Sequence, residues 1–199
     1  MAEDHGYRRS AGTPRGQARR QDLLERVTED LAAHGLQDFS LRRAARAAGT
    51  THKVLLYHFA GVDELLVLAI LRLREQRILS GVAAAAQLPT LAERIRAIWP
   101  VLSAGAESAV LDQAIGLSMY DPARYAELSR SASRQYLPTL FALCPDDWPE
   151  RRRLEVSEMI LATLRGFLVD LRTSHDLAGI DAGFGALARA LDREEAAGA

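Results

Sequence analysis

Cysteine occurs once in this 199-residue chain, at Cys144. A single thiol excludes an internal disulfide framework and fits a reducing compartment, where the core alone holds the fold. Lysine also occurs once, at Lys53, so arginine carries nearly all the positive charge. No apolar stretch near the N-terminus resembles a secretion signal; the segment from Arg8 to Arg20 is polar and arginine-rich. No apolar run reaches the roughly 18 residues needed to span a bilayer. Sustained apolar–polar alternation between hairpin turns is missing too, which argues against a sheet. These absences lead to the expectation of a cytoplasmic protein with no membrane partner.

What remains is a helical, globular composition, 48% hydrophobic and 26% charged. The net charge of −1 conceals an asymmetry. Residues 1–60 carry 10 basic against 7 acidic side chains, and the rest 15 against 19. A basic N-terminal third on an acidic body suits a module that meets phosphate. Residues 1–14 lack apolar periodicity and read as a flexible arm. Leu24, Val27 and Leu31 recur at helical spacing, with Gly35 as a stop. A short segment follows over 41–48, capped by Ser40, and another over 52–58, capped by Thr51. Further helical stretches are expected over about 63–86, 91–104, 106–119, 123–143, 149–173 and 180–193. The predicted fold is all-α with about nine helices. A three-helix module with a helix-turn-helix spans 15–60, and a helical regulatory and dimerisation domain spans 61–199.

The most informative stretch runs from Phe39 to Leu66, FSLRRAARAAGTTHKVLLYHFAGVDELL. Ala44, Ala45 and Ala48 are small where two short helices would cross, and Gly49 permits a tight turn. Val54, Leu55 and Phe59 would pack inward. His52, Lys53, Leu56 and Tyr57 would face out, a mixture suited to a major groove.

This stretch resembles the TetR family of regulators. Ser40, Ala48-Gly49, Leu55, His58, Phe59 and Leu65-Leu66 fall in the family's register. The strong match covers about residues 18–66, and Leu164 to Leu171, LRGFLVDL, is similar to a dimer-helix segment of one branch. The resemblance implies double-stranded operator DNA as partner. Thr51, His52 and Lys53 would enter the major groove, and Leu56 would reach a thymine methyl. Tyr57, His58, Ser40 and Arg42 would hold phosphates. Arg8, Arg9, Arg15, Arg19 and Arg20 form either a minor-groove arm or a solvated tail. One departure stands out: Val62 and Asp63 occupy the start of the fourth helix, where such proteins usually carry a phosphate-binding Lys or Arg.

In the body, Trp99, Leu102, Met119, Tyr120, Tyr136 and Phe141 are candidates for a small-molecule pocket, with plain helical core as the competing reading. Ser103, Gln113 and Arg165 are candidate polar anchors. Ile160, Leu164, Gly166, Phe167 and Leu171 make a stripe proposed as a homodimer interface, unless it faces the subunit's own core. No catalytic or metal site is expected: Cys144 has no nearby histidine, and His52 and His58 do not share a helix face. Gly183 to Ala188 loosely matches a dinucleotide fingerprint, but no strand precedes it, and no cofactor is expected. The expected function is a repressor released from operator DNA by a small apolar effector. The alternatives are a DNA-binding regulator without an effector, or a helical enzyme.

Overall fold

The structure, a computed structural model, describes residues 13–85 and 87–197, with Ser133 described in its backbone alone. Nine α-helices and no strand occur among them. They are α1 (Pro14–His34), α2 (Leu41–Ala47), α3 (His52–His58), α4 (Val62–Ala85) and α5 (Leu91–Ser103), followed by α6 (Gly105–Tyr120), α7 (Ala126–Leu143), α8 (Glu150–Thr173) and α9 (Leu177–Ala196). Capping residues set several of these starts. Thr13 accepts from the Gly16 amide at 3.1 Å, with Pro14 opening α1. Thr90 and Glu93 form a reciprocal capping box at α5. Asp176 accepts from the Gly179 amide at 2.9 Å, which starts α9 three residues before its first buried side chain, Ile180. Residues 1–12 of the expected arm lie outside the described residues, α1 begins at Pro14, and α7 begins at Ala126 rather than near Ala123.

Three hydrophobic clusters run through the molecule. The first joins Leu23 and Val27 of α1 to Ala44, Ala45, Ala48, Leu55, Phe59 and Leu65. The second joins Leu31 of α1 to Leu66, Ala69, Ile70 and Leu73 of α4, to Val110, Leu111 and Ala114 of α6, and to Leu128 of α7. The third fills the space among α5, α7, α8 and α9 around Ile95, Leu143, Trp148, Ile160 and Leu191. Helix α1 thus contributes to two clusters, and α4 to all three through Leu65, Leu66 and Ala85. The short α2 and α3 are held only by the first.

Candidate DNA-binding face and internal cavity

The turn between α2 and α3 follows from local chemistry. Gly49 sits at φ +59°, in the left-handed region where a Cβ is costly. Its amide bonds to the Arg46 carbonyl and that of Thr50 to the Ala45 carbonyl, closing the end of α2. Ser40 caps α2 by accepting from the Arg43 amide at 3.3 Å, and Thr51 caps α3 by accepting from the Val54 amide at 3.4 Å. Leu55 and Phe59 are buried as the sequence suggests, and Val54 packs against them.

Two arginines clasp this unit. Arg43 donates to the Asp30 carboxylate at 2.6 Å and to the Gln37 carbonyl at 2.7 Å, fixing α2 to the end of α1. Arg20 donates to the His58 carbonyl and to Glu64, each at 3.0 Å, and lies over the Phe59 ring. Glu64 also accepts from the Ala60 amide. The sequence places Arg19 and Arg20 in either a minor-groove arm or a solvated tail. Arg20 is instead an internal strut, and Arg19 pairs with Asp22. Arg8 and Arg9 lie outside the described residues, and Arg15 is exposed on α1.

The sequence-derived DNA contacts fall on two helix starts and one helix face. Ser40 and Arg42 open α2; Thr51, His52 and Lys53 open α3; all five are exposed. Leu56 projects one turn further along α3 and is 51% exposed. Tyr57 and His58 are half-buried, with rings edge-to-face at 4.8 Å. The Nδ1 atom of His58 is buried without a hydrogen-bond partner among the described residues. Burial, with Arg19 and Arg20 nearby, pulls the His58 pKa below its ordinary value, so the ring is neutral at pH 7. At the anomalous start of α4, Asp63 receives both branches of the Arg124 guanidinium, at 2.7 and 3.1 Å. A cation therefore stands beside the position where the sequence has none.

The body holds a narrow cavity of about 60 Å³ among α4, α5, α6, α7 and α8, room for a few waters. Leu102 and Tyr136 line it, and so does Arg165. Four other candidates lie elsewhere. Trp99 stacks with Phe167 and Phe184 at centroid distances of 6.1 and 5.7 Å, joining the third cluster. Phe141 packs under the Arg153 guanidinium at 4.2 Å. Met119 and Tyr120 are 79% and 89% exposed, because they end α6 just before Asp121-Pro122 breaks the helix. Ser103 bonds back to the Trp99 carbonyl, and Gln113 accepts from the Leu36 amide at 3.1 Å. Most of the lining lies outside the sequence candidates, including two arginines, Arg74 and Arg77, both buried on α4. Their signal was legible, since they share the face of α4 that carries Ile70 and Gly81.

The α8 stripe turns inward. Ile160 and Leu164 are buried in the third cluster, with Phe167 packed against it, and Leu171 is half-buried. Gly166 is exposed, together with Met159, Ala162 and Val169 on the opposite face. Gly183 lets α9 approach α8 closely: a Cβ there would meet the Phe167 ring at 2.7 Å. Gly183 is thus a packing feature. Cys144 is buried, its Sγ 3.7 Å from the Ser157 hydroxyl, and burial pushes its pKa up. Among the described residues, no group of His, Cys, Asp and Glu side chains forms a metal-binding cluster. No single helix there is long and apolar enough to cross a membrane.

A small three-helix unit with a glycine-turned helix pair, carried on a larger helical body, is the architecture of TetR-family regulators. No family model matches the chain, and no curated protein matches it. Solved structures do. A TetR-family regulator from Cytophaga hutchinsonii matches with a TM-score of 0.69 and 14% identity, over 90% of this chain and 96% of its own. A TetR-family member from Streptomyces coelicolor A3 matches at 0.62 and 19% identity, over 87% and 98%. The multidrug binding protein EbrR, solved with proflavin, matches at 0.64 and 17% identity, over 86% and 98%. The chain therefore has the TetR fold, and at these identities the likeness is one of fold.

Proposed function

We propose that the protein is a sequence-specific DNA-binding transcriptional regulator. In this reading it works in the cytoplasm as a homodimeric repressor, and a small molecule entering the cavity releases it from operator DNA. The observation that carries the DNA reading is the pair of open helix starts. Arg42 and Lys53 stand exposed there and form no ion pair among the described residues, while Arg20 and Arg43 are spent holding the unit rigid. Backbone amides and free cations at helix starts suit phosphates, and the next turn of α3 suits base edges. Arg124 would supply the phosphate contact that Val62 and Asp63 cannot.

One helix-turn-helix makes too few contacts for high specificity, so two copies on paired half-sites are expected. The exposed face of α8, with Met159, Ala162, Gly166 and Val169 at helical spacing, is the surface we assign to that dimer. Release would run through α4, which starts at the reader and lines the cavity with Arg74, Arg77 and Ile78. The small volume of the cavity also favours a second reading, a DNA-binding regulator controlled without a small molecule. Selection of binding sites from random duplexes tests the DNA reading. It is expected to return a palindrome whose half-sites Lys53→Ala no longer distinguishes. Recovery of no preferred sequence would defeat it.

A further inference from the structure

Arg74 and Arg77 are one turn apart on α4, only 2% and 7% exposed, and both line the cavity. An arginine keeps its charge at any relevant pH, so a buried one normally has a carboxylate. Neither has one. Arg74 uses a single nitrogen, bonded to the Leu128 carbonyl at 3.1 Å and the Ser131 hydroxyl at 3.2 Å. Arg77 reaches the Tyr136 hydroxyl at 2.5 Å and the Leu102 carbonyl only at 3.5 Å, and its buried Nε has no partner. The acceptors are all neutral. Arg165 of α8 lines the same space, within electrostatic reach of both. Burial, and the neighbouring guanidinium groups after it, pull the pKa of Arg74 down. Asp112 lies within electrostatic reach of Arg77, but its hydrogen bond goes to Arg172 at 2.8 Å. Glu158 acts on Arg165.

The remaining wall is apolar: Ile78, Val82, Ile98, Leu140 and Leu161 among others. We infer that the cavity anchors the head of an amphipathic organic carboxylate, held by Arg74, Arg77 and Arg165, with the hydrocarbon part running along the apolar wall toward the open side of the pocket. Tyr136 completes the cradle. Its hydroxyl oxygen accepts from Arg77, which leaves its own proton to donate to the anion. Forked guanidinium donors match a carboxylate, and bonds between ionised partners are the strong ones. This replaces the apolar effector expected from sequence with an anionic one. It deepens the effector reading above and relies on it only for the effect on DNA.

The test is isothermal titration of the full chain at constant ionic strength with octanoate, octanamide, octylammonium and inorganic phosphate. Octanoate is expected to saturate. The amide, the amine and phosphate alone should each bind about 10- to 100-fold more weakly, the span set by loss of a charged hydrogen bond. Arg77→Met should weaken octanoate by a similar factor without lowering the melting temperature of the unliganded protein, since it removes an uncompensated buried charge. Tyr136→Phe, a smaller change, should weaken octanoate less, and Arg134→Gln on the exposed side of α7 should leave binding unaltered. The inference is overturned if the amide or phosphate alone matches octanoate, or if the amine exceeds it. Failure of the whole series from butanoate to dodecanoate, with benzoate, to bind also overturns it. Octanoate that binds without loosening operator DNA would leave the anion site intact and defeat only the regulatory reading. Release of DNA by the amide but not the acid would do the opposite.

Discussion

Lys53 and Arg42 stand at the first turns of adjacent helices, and their replacements should separate two kinds of contact. Lys53→Ala is expected to cost about 1–3 kcal/mol of operator binding and to relax preference at one base pair. Arg42→Ala should weaken all sequences alike and lower the slope of log K against log salt by about one. Competition binding at several salt concentrations distinguishes them. His58 adds a dependence on pH. Its pKa in the fold lies below the ordinary value near 6.5, lowered first by burial. The unfolded chain therefore takes up a proton first as the pH falls. Stability from the neutral ring is complete above about pH 6.5 and is lost as the pH drops through the folded value. A phosphate at His58 would favour the protonated ring, so operator affinity should rise between pH 7.5 and 6 in wild type more than in His58→Gln. Equal pH slopes would remove His58 from the phosphate contacts.

Among the elements, the capped short helices were readable because their signals are local. Ser40, Gly49 and Thr51 each act within four residues. The clasps were not readable, because Arg20 meets Glu64 across 44 residues and Arg124 meets Asp63 across 61. Nor could spacing alone place Trp99 or Phe141. An aromatic ring on an apolar face serves a core or a cavity equally, and only the packing of α8 and α9 decides. The stripe expected at a dimer interface divides for a related reason: Ile160 and Leu164 have the right period for a partner helix but pack into their own subunit, while Gly166 is exposed. Two variants probe this level. Gly49→Ala should cost about 1–2 kcal/mol of stability, from forcing a Cβ into the left-handed region, as denaturant unfolding would report. Arg20→Met should cost about 1–3 kcal/mol, since two hydrogen bonds from a charged donor vanish. It should weaken operator binding without altering sequence preference, because Arg20 positions α3 and touches no base.

For the whole molecule, the testable quantities are assembly and coupling. Val169→Glu on the exposed face of α8 should convert a dimer to a monomer by sedimentation and leave the fold intact, since that side chain is 52% exposed in the subunit. An unchanged dimer would place the interface elsewhere. A ligand that releases DNA must prefer the DNA-incompetent state; a coupling of about 1–3 kcal/mol would change operator affinity some 5- to 150-fold, and operator would weaken the ligand by the same factor. The three clusters carry a further consequence. Because α1 gives Val27 to the first and Leu31 to the second, and α4 gives Leu65 and Leu66 to the same two, the reader has no detachable edge. A chimera that grafts residues 13–60 onto a foreign body would inherit half of each seam. Such hybrids should express as insoluble protein unless the recipient's own fourth helix is exchanged along with them, so the exchangeable cassette in this architecture is longer than the segment that reads DNA.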